Sequence, residues 1–258
     1  MFIWIKQMRP KQWIKNLFVL AAPLFSVTQI NWMRAFFTVA IFIFVSSAVY
    51  ILNDILDIER DRCHPQKCNR PLPAGNITVQ QAVIEGIVLF TTGLIGAICL
   101  SPAILEIVVL YAAINVAYSY SLKYVPVIDV LIVAFGFLLR SLAGAVAVGI
   151  PITPWFMACV FGLSLFLSIR KREYDINPRY NQAWIPVASK ITRTMVCIEY
   201  MVFALQSPAL MYLPTVPFAW AGLFRYTGGT AENELIKDNG LLLITLAFGF
   251  LVLWVKGV

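Results

Sequence analysis

Long apolar runs alternate with short polar breaks from one end of the chain to the other. A helix that crosses a bilayer needs about 20 apolar residues, fewer where it is tilted or interrupted. Nine segments meet that description, at about 13–30, 34–53, 79–99, 103–121, 126–148, 154–170, 194–212, 214–226 and 239–256. Pro23, Pro102, Pro126, Pro151, Pro154 and Pro214 sit at or near the breaks, where a missing backbone N–H does least harm. The eighth segment is short and lies beside Pro214 and Pro217. The pattern predicts an all-α, polytopic membrane protein with nine transmembrane helices, forming one integral-membrane domain over 1–258.

Composition agrees: 60% of the 258 residues are hydrophobic, against about 45–50% in a soluble domain. The cations Lys6, Arg9, Lys11 and Lys15 precede an apolar run that continues into a span without a small-residue cleavage site, so no cleavable signal peptide is predicted. The formal net charge is +7, and its distribution carries information. With nine spans, 17 of the 20 Lys and Arg fall on one side, in the N-terminus and in the loops after the second, fourth, sixth and eighth spans. Basic loops mark the cytoplasmic side, which places the N-terminus inside and accounts for the charge without nucleic acid. The opposite connections, 100–102, 149–153 and 213–215, are short and carry no cations. Chemistry is therefore expected at the cytoplasmic face of the inner membrane. The sequon Asn76-Ile77-Thr78 falls on that face and is discounted.

The densest run of charge joins the second and third spans: NDILDIERDRCHPQKCNRPLPAG, Asn53 to Gly75. On a helix Asp54, Asp57 and Asp61 stand at i, i+3 and i+7 and share a face. Three carboxylates so placed repel one another unless a cation sits between them. Mg²⁺ takes oxygen ligands, uses one or two carboxylates, and leaves the remaining positions to water and substrate phosphate. Lys67 and Arg70, a few residues later, could hold the same phosphate from the other side. The bland alternative is a solvated juxtamembrane loop of mixed charge. Cys63, His64 and Cys68 suggest zinc, but a structural site wants four ligands and no fourth is nearby. Cys99, Cys159 and Cys197 lie inside spans and read as small apolar residues.

Ionisable groups within spans are expensive and usually functional. Arg140, well inside the fifth span, needs a ligand or a buried partner such as Glu85, Glu106 or Glu199. Asp129, near the start of that span, reads as a carboxylate partner or a helix N-terminal charge. The loop after the sixth span opens Arg170-Lys171-Arg172-Glu173-Tyr174-Asp175, either a phosphate clamp or a headgroup anchor. Glu232, Glu234, Lys237 and Asp238 in the loop after the eighth read as solvated.

The motif Asn-Asp-x-x-Asp-x-x-x-Asp at 53–61, closing the second of nine spans, resembles the UbiA superfamily of intramembrane prenyltransferases, and the likeness covers nearly the whole chain. Within that superfamily the chain is similar to the decaprenyl-phosphate phosphoribosyltransferases. The residues concerned are RPKQWIKNLFVLAAPLFS at 9–26, YILNDILDIERDRCHPQKCNRPLPAG at 50–75, YSLKYVPVIDVLIVAFGFLLRSLAGA at 120–145 and RKREYD at 170–175. One departure separates the branches. Those that prenylate aromatic rings carry a second Asp-x-x-x-Asp motif after the sixth span, whereas this chain has none after Asp61 and offers Lys171 and Arg172 there.

The resemblance implies helices around a central cavity that opens to the cytoplasmic side. It implies a Mg²⁺-dependent transfer of a 5-phosphoribosyl group from 5-phosphoribosyl 1-diphosphate to a polyprenyl phosphate, releasing diphosphate, for cell-envelope polysaccharide precursors. By matching position, Asn53 and Asp57 are the primary Mg²⁺ ligands, with Asp54 and Asp61 ligating directly or through water; the three aspartates form the catalytic core. Lys15, Tyr50, Lys67, Arg70 and Lys123 contact phosphate or ribose, and Arg140, Lys171 and Arg172 contact one of the two anions. Glu232 and Asp238 resemble a weaker acidic patch. The implied partners are the two substrates and the bilayer, with a homo-oligomer allowed. The rival readings are an aromatic or quinone-pathway prenyltransferase, disfavoured by the missing second motif, and a transporter of polyprenyl-linked lipid, which has no need of the acidic motif. A catalytically silent assembly protein is disfavoured by that motif being intact.

Overall fold

A computed structural model describes residues 2–26, 28–173, 184–226 and 238–256, and every regular element among them is helical. In order these are α1 (Phe2–Gln7), a 3-10 helix (Pro10–Leu20), α2 (Ala21–Phe25), α3 (Trp32–Leu56), α4 (Ile58–Arg62), α5 (Val79–Leu100), α6 (Pro102–Tyr120), α7 (Ile128–Val148), α8 (Pro154–Glu173), α9 (Trp184–Leu205), α10 (Val216–Arg225) and α11 (Asn239–Lys256). Short 3-10 turns fill Lys67–Asn69, Leu122–Tyr124, Pro208–Leu210 and Leu213–Thr215.

Local chemistry sets several boundaries. Thr78 and Gln81 cap α5 reciprocally, each side chain accepting the other's backbone N–H. Ser101 caps α6, with Pro102 in the first turn where no N–H is needed. The Asn31 side chain accepts the Arg34 N–H to start α3.

Six described helices, α3, α5, α6, α7, α8 and α11, are long and apolar enough to cross a membrane. Three of the nine expected segments take other forms. The 13–30 run is a 3-10 helix followed by the five-residue α2 with Pro23 inside it. Expected at 194–212, α9 instead runs Trp184–Leu205, so Lys190 and Arg193 belong to the helix rather than to a loop. Arg193 lays its guanidinium over the Phe224 ring, 4.2 Å from the centroid. The 214–226 run becomes a 3-10 turn and the ten-residue α10.

The chain forms two compact units. The first holds residues up to Pro23, Gln29–Ile132 and Leu139–Pro151. Its α3 packs on α5, α6 and the Pro10–Leu20 helix. Gly93 allows the α3–α5 approach, since a Cβ there would lie 2.5 Å from Val45 Cγ2. Gly144 does the same for the N-terminal segment, because its missing side chain leaves room for the Val19 carbonyl. Around α3 and α5, buried Ala48, Ile51, Leu72, Ile77, Ala82 and Leu89 form one apolar cluster, joined by Ile3 and Met8.

The second unit holds Leu24–Thr28, Val133–Leu138 and Ile152–Val258. Its α8 pairs with α9, and α10 with α11. One cluster here is aromatic. The Phe25 ring lies within 6.5 Å of the centroids of Phe156, Tyr200, Phe203, Tyr212 and Phe248. The buried hydroxyls are satisfied: Tyr212 donates to the Phe25 carbonyl at 2.7 Å, and Tyr200 lies 2.6 Å from Thr215 Oγ1.

Candidate active site

The site grows from the C-terminal end of α3. Ser46, Ser47, Tyr50, Asn53, Asp54 and Asp57 recur every three or four residues and so line one side of the chain there. The N-terminal segment lies along that side. Asn16 Nδ2 donates to Ser46 Oγ at 3.1 Å. The Met8 carbonyl accepts from Ser47 Oγ at 3.1 Å and from Trp13 Nε1 at 3.2 Å. The next residue, Arg9, is left-handed at φ 55°, ψ 64°, which costs about 1–2 kcal/mol for a residue with a Cβ. Its contacts offset that cost: Nε and Nη2 donate to the two oxygens of Asp54, and the guanidinium lies 5.3 Å from the Tyr50 ring centroid.

A one-residue break falls within the motif: α3 ends at Leu56, Asp57 takes φ −103° and ψ 10°, and α4 starts at Ile58, while the Asp57 N–H still bonds the Asn53 carbonyl and the Asp61 N–H the Asp57 carbonyl. The motif splits into two pairs. Asp54 and Asp61 share Arg70 Nη1, at 3.0 and 2.5 Å, and Lys67 Nζ stands 3.8 Å from Asp61. Asn53 and Asp57 share Lys123 Nζ, which is 3.3 Å from Asn53 Oδ1 and 2.8 Å from both Asp57 oxygens. Asn53 Nδ2 also donates to Asp57 Oδ2 at 3.2 Å, and Arg60 Nη2 donates to the same oxygen at 2.9 Å. Among the described residues no three His, Cys, Asp or Glu side chains converge as one metal cluster.

The three aspartates are at most 6% exposed. Burying a charge is tolerable only when it is paired and hydrogen-bonded. Here five cations, Arg9, Arg60, Lys67, Arg70 and Lys123, meet the three carboxylates. The formal surplus is positive, which favours anionic ligands. The donor set also fits a hard divalent cation. Asn53 and Asp57 offer only oxygens toward a shared point, and Lys123 Nζ demonstrates that one cation reaches both residues.

The other expected site residues have surroundings of their own. Lys15 is half-buried in the Pro10–Leu20 helix, next to Asn16. Arg140 is 4% exposed and enclosed: Nε donates to Asn16 Oδ1 at 2.9 Å, Nη2 donates to the Tyr111 hydroxyl at 2.7 Å, and the guanidinium lies over the Tyr111 ring at 4.7 Å. It thus ties the N-terminal segment to α6 and α7. Asp129 is buried at the start of α7. Lys171 is exposed and Arg172 half-buried at the end of α8, in the second unit. Tyr174, Asp175, Glu232, Glu234 and Lys237 lie outside the described residues. Asp238 is engaged locally. It accepts the Gly240 and Leu241 N–H groups and the Arg225 Nε, and the Arg225 guanidinium holds its carboxyl below the usual carboxylate range. His64 Nδ1 accepts the N–H groups of Gln66 and Lys67, so it caps the turn.

Arg9 and Arg60 belong to the cluster although sequence reading assigned them no role. Arg60 was findable, standing three residues after Asp57. Arg9 is 45 positions from its carboxylate, and no local spacing signals that pairing.

Residues 17–231 match the model of the UbiA prenyltransferase family. The chain belongs to that family, and is an integral membrane transferase. It is 39% identical to decaprenyl-phosphate phosphoribosyltransferase of Mycolicibacterium smegmatis, over 95% of this chain and 89% of that one. It is 31% identical to the enzyme of the same name from Mycobacterium tuberculosis H37Rv, over 95% and 91%. The fold is shared with a UbiA homolog from Archaeoglobus fulgidus bound to GPP and Mg²⁺, at TM-score 0.74 and 18% identity over 99% of this chain and all of that one.

Proposed function

We propose that this enzyme transfers a 5-phosphoribosyl group from 5-phosphoribosyl 1-diphosphate to a polyprenyl phosphate, at the cytoplasmic face of the inner membrane. The observation that carries the reading is the surplus of cations over buried carboxylates in the α3–α4 cluster. Two anionic substrates must be brought together, and fixed positive charge lowers their mutual repulsion. The names of the M. smegmatis and M. tuberculosis relatives support the same chemistry. Asn53 and Asp57 are the first candidates to hold Mg²⁺, with Asp54 and Asp61 behind them. Magnesium, when bound, would neutralise the leaving diphosphate.

The chain's own residues do the rest. Lys123, Lys67 and Arg70 meet phosphate oxygens, and Tyr50 and Lys15 meet ribose or phosphate. Arg140 acts through Asn16 on the segment that carries Lys15 and Arg9. Lys171 and Arg172 serve the second anion. A phosphate oxygen of the polyprenyl substrate attacks ribose C1, and the bond from C1 to the diphosphate oxygen breaks. Diphosphate leaves with that electron pair. The nucleophile is already ionised at neutral pH, so no strong general base is required.

The test uses purified protein with labelled phosphoribosyl diphosphate, polyprenyl phosphate and Mg²⁺. A lipid-extractable labelled product is expected. No product across several chain lengths, together with turnover of a prenyl diphosphate and an aromatic acceptor, would contradict the reading and favour the aromatic branch.

A further inference from the structure

Lys123 stands where the Asn53–Asp57 pair would hold its metal. Its Nζ contacts both Asp57 oxygens at 2.8 Å and Asn53 Oδ1 at 3.3 Å, and its side chain is only 8% exposed. These are the oxygens a magnesium ion would use. An ammonium and a divalent cation cannot share them, because like charges at contact distance repel strongly away from bulk water. A bound metal must move Nζ.

The surroundings suit such a movement. Lys123 rides on the three-residue turn Leu122–Tyr124 that joins α6 to α7. Its charge is a compact point on a flexible four-carbon stem. The same connector holds Val127 at φ 73°, a conformation that costs energy for a β-branched residue and recurs at functional sites. Asp57 keeps a second partner in Arg60, whose Nη1 also donates to the Tyr124 hydroxyl at 3.4 Å. The other pair is held differently. Asp54 receives two Arg9 nitrogens and one of Arg70, a planar fork with fixed donors.

We propose that Lys123 is an internal counter-cation: it keeps the Asn53–Asp57 pair closed until a divalent metal displaces it, and the displaced ammonium then becomes a contact for the anionic substrate. Metal binding thereby precedes and prepares diphosphate binding. This rests on the reading that Asn53 and Asp57 hold the metal.

The experiment uses full-length protein in detergent, with Mn²⁺ as the probe. Free Mn²⁺ is counted by electron paramagnetic resonance, and acylation of Lys123 by an amine reagent is measured by peptide mass spectrometry. Wild type should bind Mn²⁺ saturably, and Asp57→Asn should lose that binding. Lys123→Met and Lys123→Gln, each checked for an intact melting transition, should bind Mn²⁺ about tenfold more tightly, since the competent site is no longer masked. Saturating Mn²⁺ should raise Lys123 acylation about threefold or more in wild type, by the same population shift, and leave it unchanged in Asp57→Asn. The acylation arm separates displacement from the simple loss of a neighbouring charge. If Mn²⁺ binding depends on Asp57 but Lys123 acylation stays level or falls, or neither Lys123 variant gains affinity, the displacement idea is wrong while the metal reading stands. Saturable Mn²⁺ binding that is absent, or indifferent to Asp57→Asn, removes the metal reading and the displacement idea together.

Discussion

The two halves of one acidic motif are held by different chemistry. Asp54 and Asp61 are gripped by the guanidinium groups of Arg70 and of Arg9, the latter from the far N-terminal segment, with the Lys67 ammonium 3.8 Å from Asp61. Asn53 and Asp57 are held by the ammonium of Lys123, on a short turn, and by Arg60, whose side chain is half exposed. Guanidinium forks are geometrically fixed and always charged, whereas an ammonium is a single mobile charge. The contrast suggests a division of labour. The Asp54–Asp61 pair fastens the N-terminal segment and the 67–70 turn to α3, while the Asn53–Asp57 pair stays available for exchange of cations.

The largest expected effect tests the exchangeable half. Asp57→Ala should lower phosphoribosyl transfer at least about a thousandfold, roughly 4 kcal/mol of transition-state stabilisation, with folded protein still recovered. Loss of fold in parallel with activity would erase the contrast. Next comes the fastening half. Arg9→Met leaves Asp54 buried with Arg70 as its remaining partner, and should cost about 3 kcal/mol, the lower end for a broken buried pair. Denaturant unfolding in detergent reads that change. If Arg9→Met unfolds like wild type but loses activity, Arg9 is a substrate contact instead.

Gly144→Ala should cost at least as much. Its Cβ would overlap the Val19 carbonyl, a backbone group that must shift to admit it. Transfer should fall with it, because the segment being pushed carries Arg9, Lys15 and Asn16. The smallest effect belongs to the second unit. Asp238→Ala removes the cap of α11 and should lower the melting temperature slightly. The Asp238 carboxyl is held below its ordinary range by Arg225. Its contribution is therefore present above the unfolded carboxylate pKa and is lost as pH falls through the lower folded value. A melting temperature of the variant that tracks wild type down to acid pH would show that the cap contributes nothing.

Much of the fold was legible because apolar periodicity and capping residues agree along it. The expected 79–99, 103–121, 126–148 and 239–256 differ from α5, α6, α7 and α11 by two residues or fewer at each end. The failures have two causes: charge within a helix read as its end, and an apolar run read as a span despite a proline inside it. Lys190 and Arg193 read as loop, yet Arg193 finds the Phe224 ring and the helix continues through both. Pro23 lies inside an apolar run that reads as a span but folds as a 3-10 helix and one short α-helix. At the site, the acids and Lys67, Arg70 and Lys123 could be named from the motif and the family likeness. Their division into pairs could not, because it depends on cations brought in from far along the chain. The enclosure of Arg140 by Asn16 and Tyr111 was equally hidden, since those contacts span 124 and 29 positions.

The most direct measurement is equilibrium binding of labelled 5-phosphoribosyl 1-diphosphate to the purified protein, with and without Mg²⁺. The account predicts saturable binding that requires Mg²⁺, disappears in Asp57→Asn, and does so without a change in the melting transition. Binding that proceeds equally well without Mg²⁺, or that survives Asp57→Asn, would contradict it.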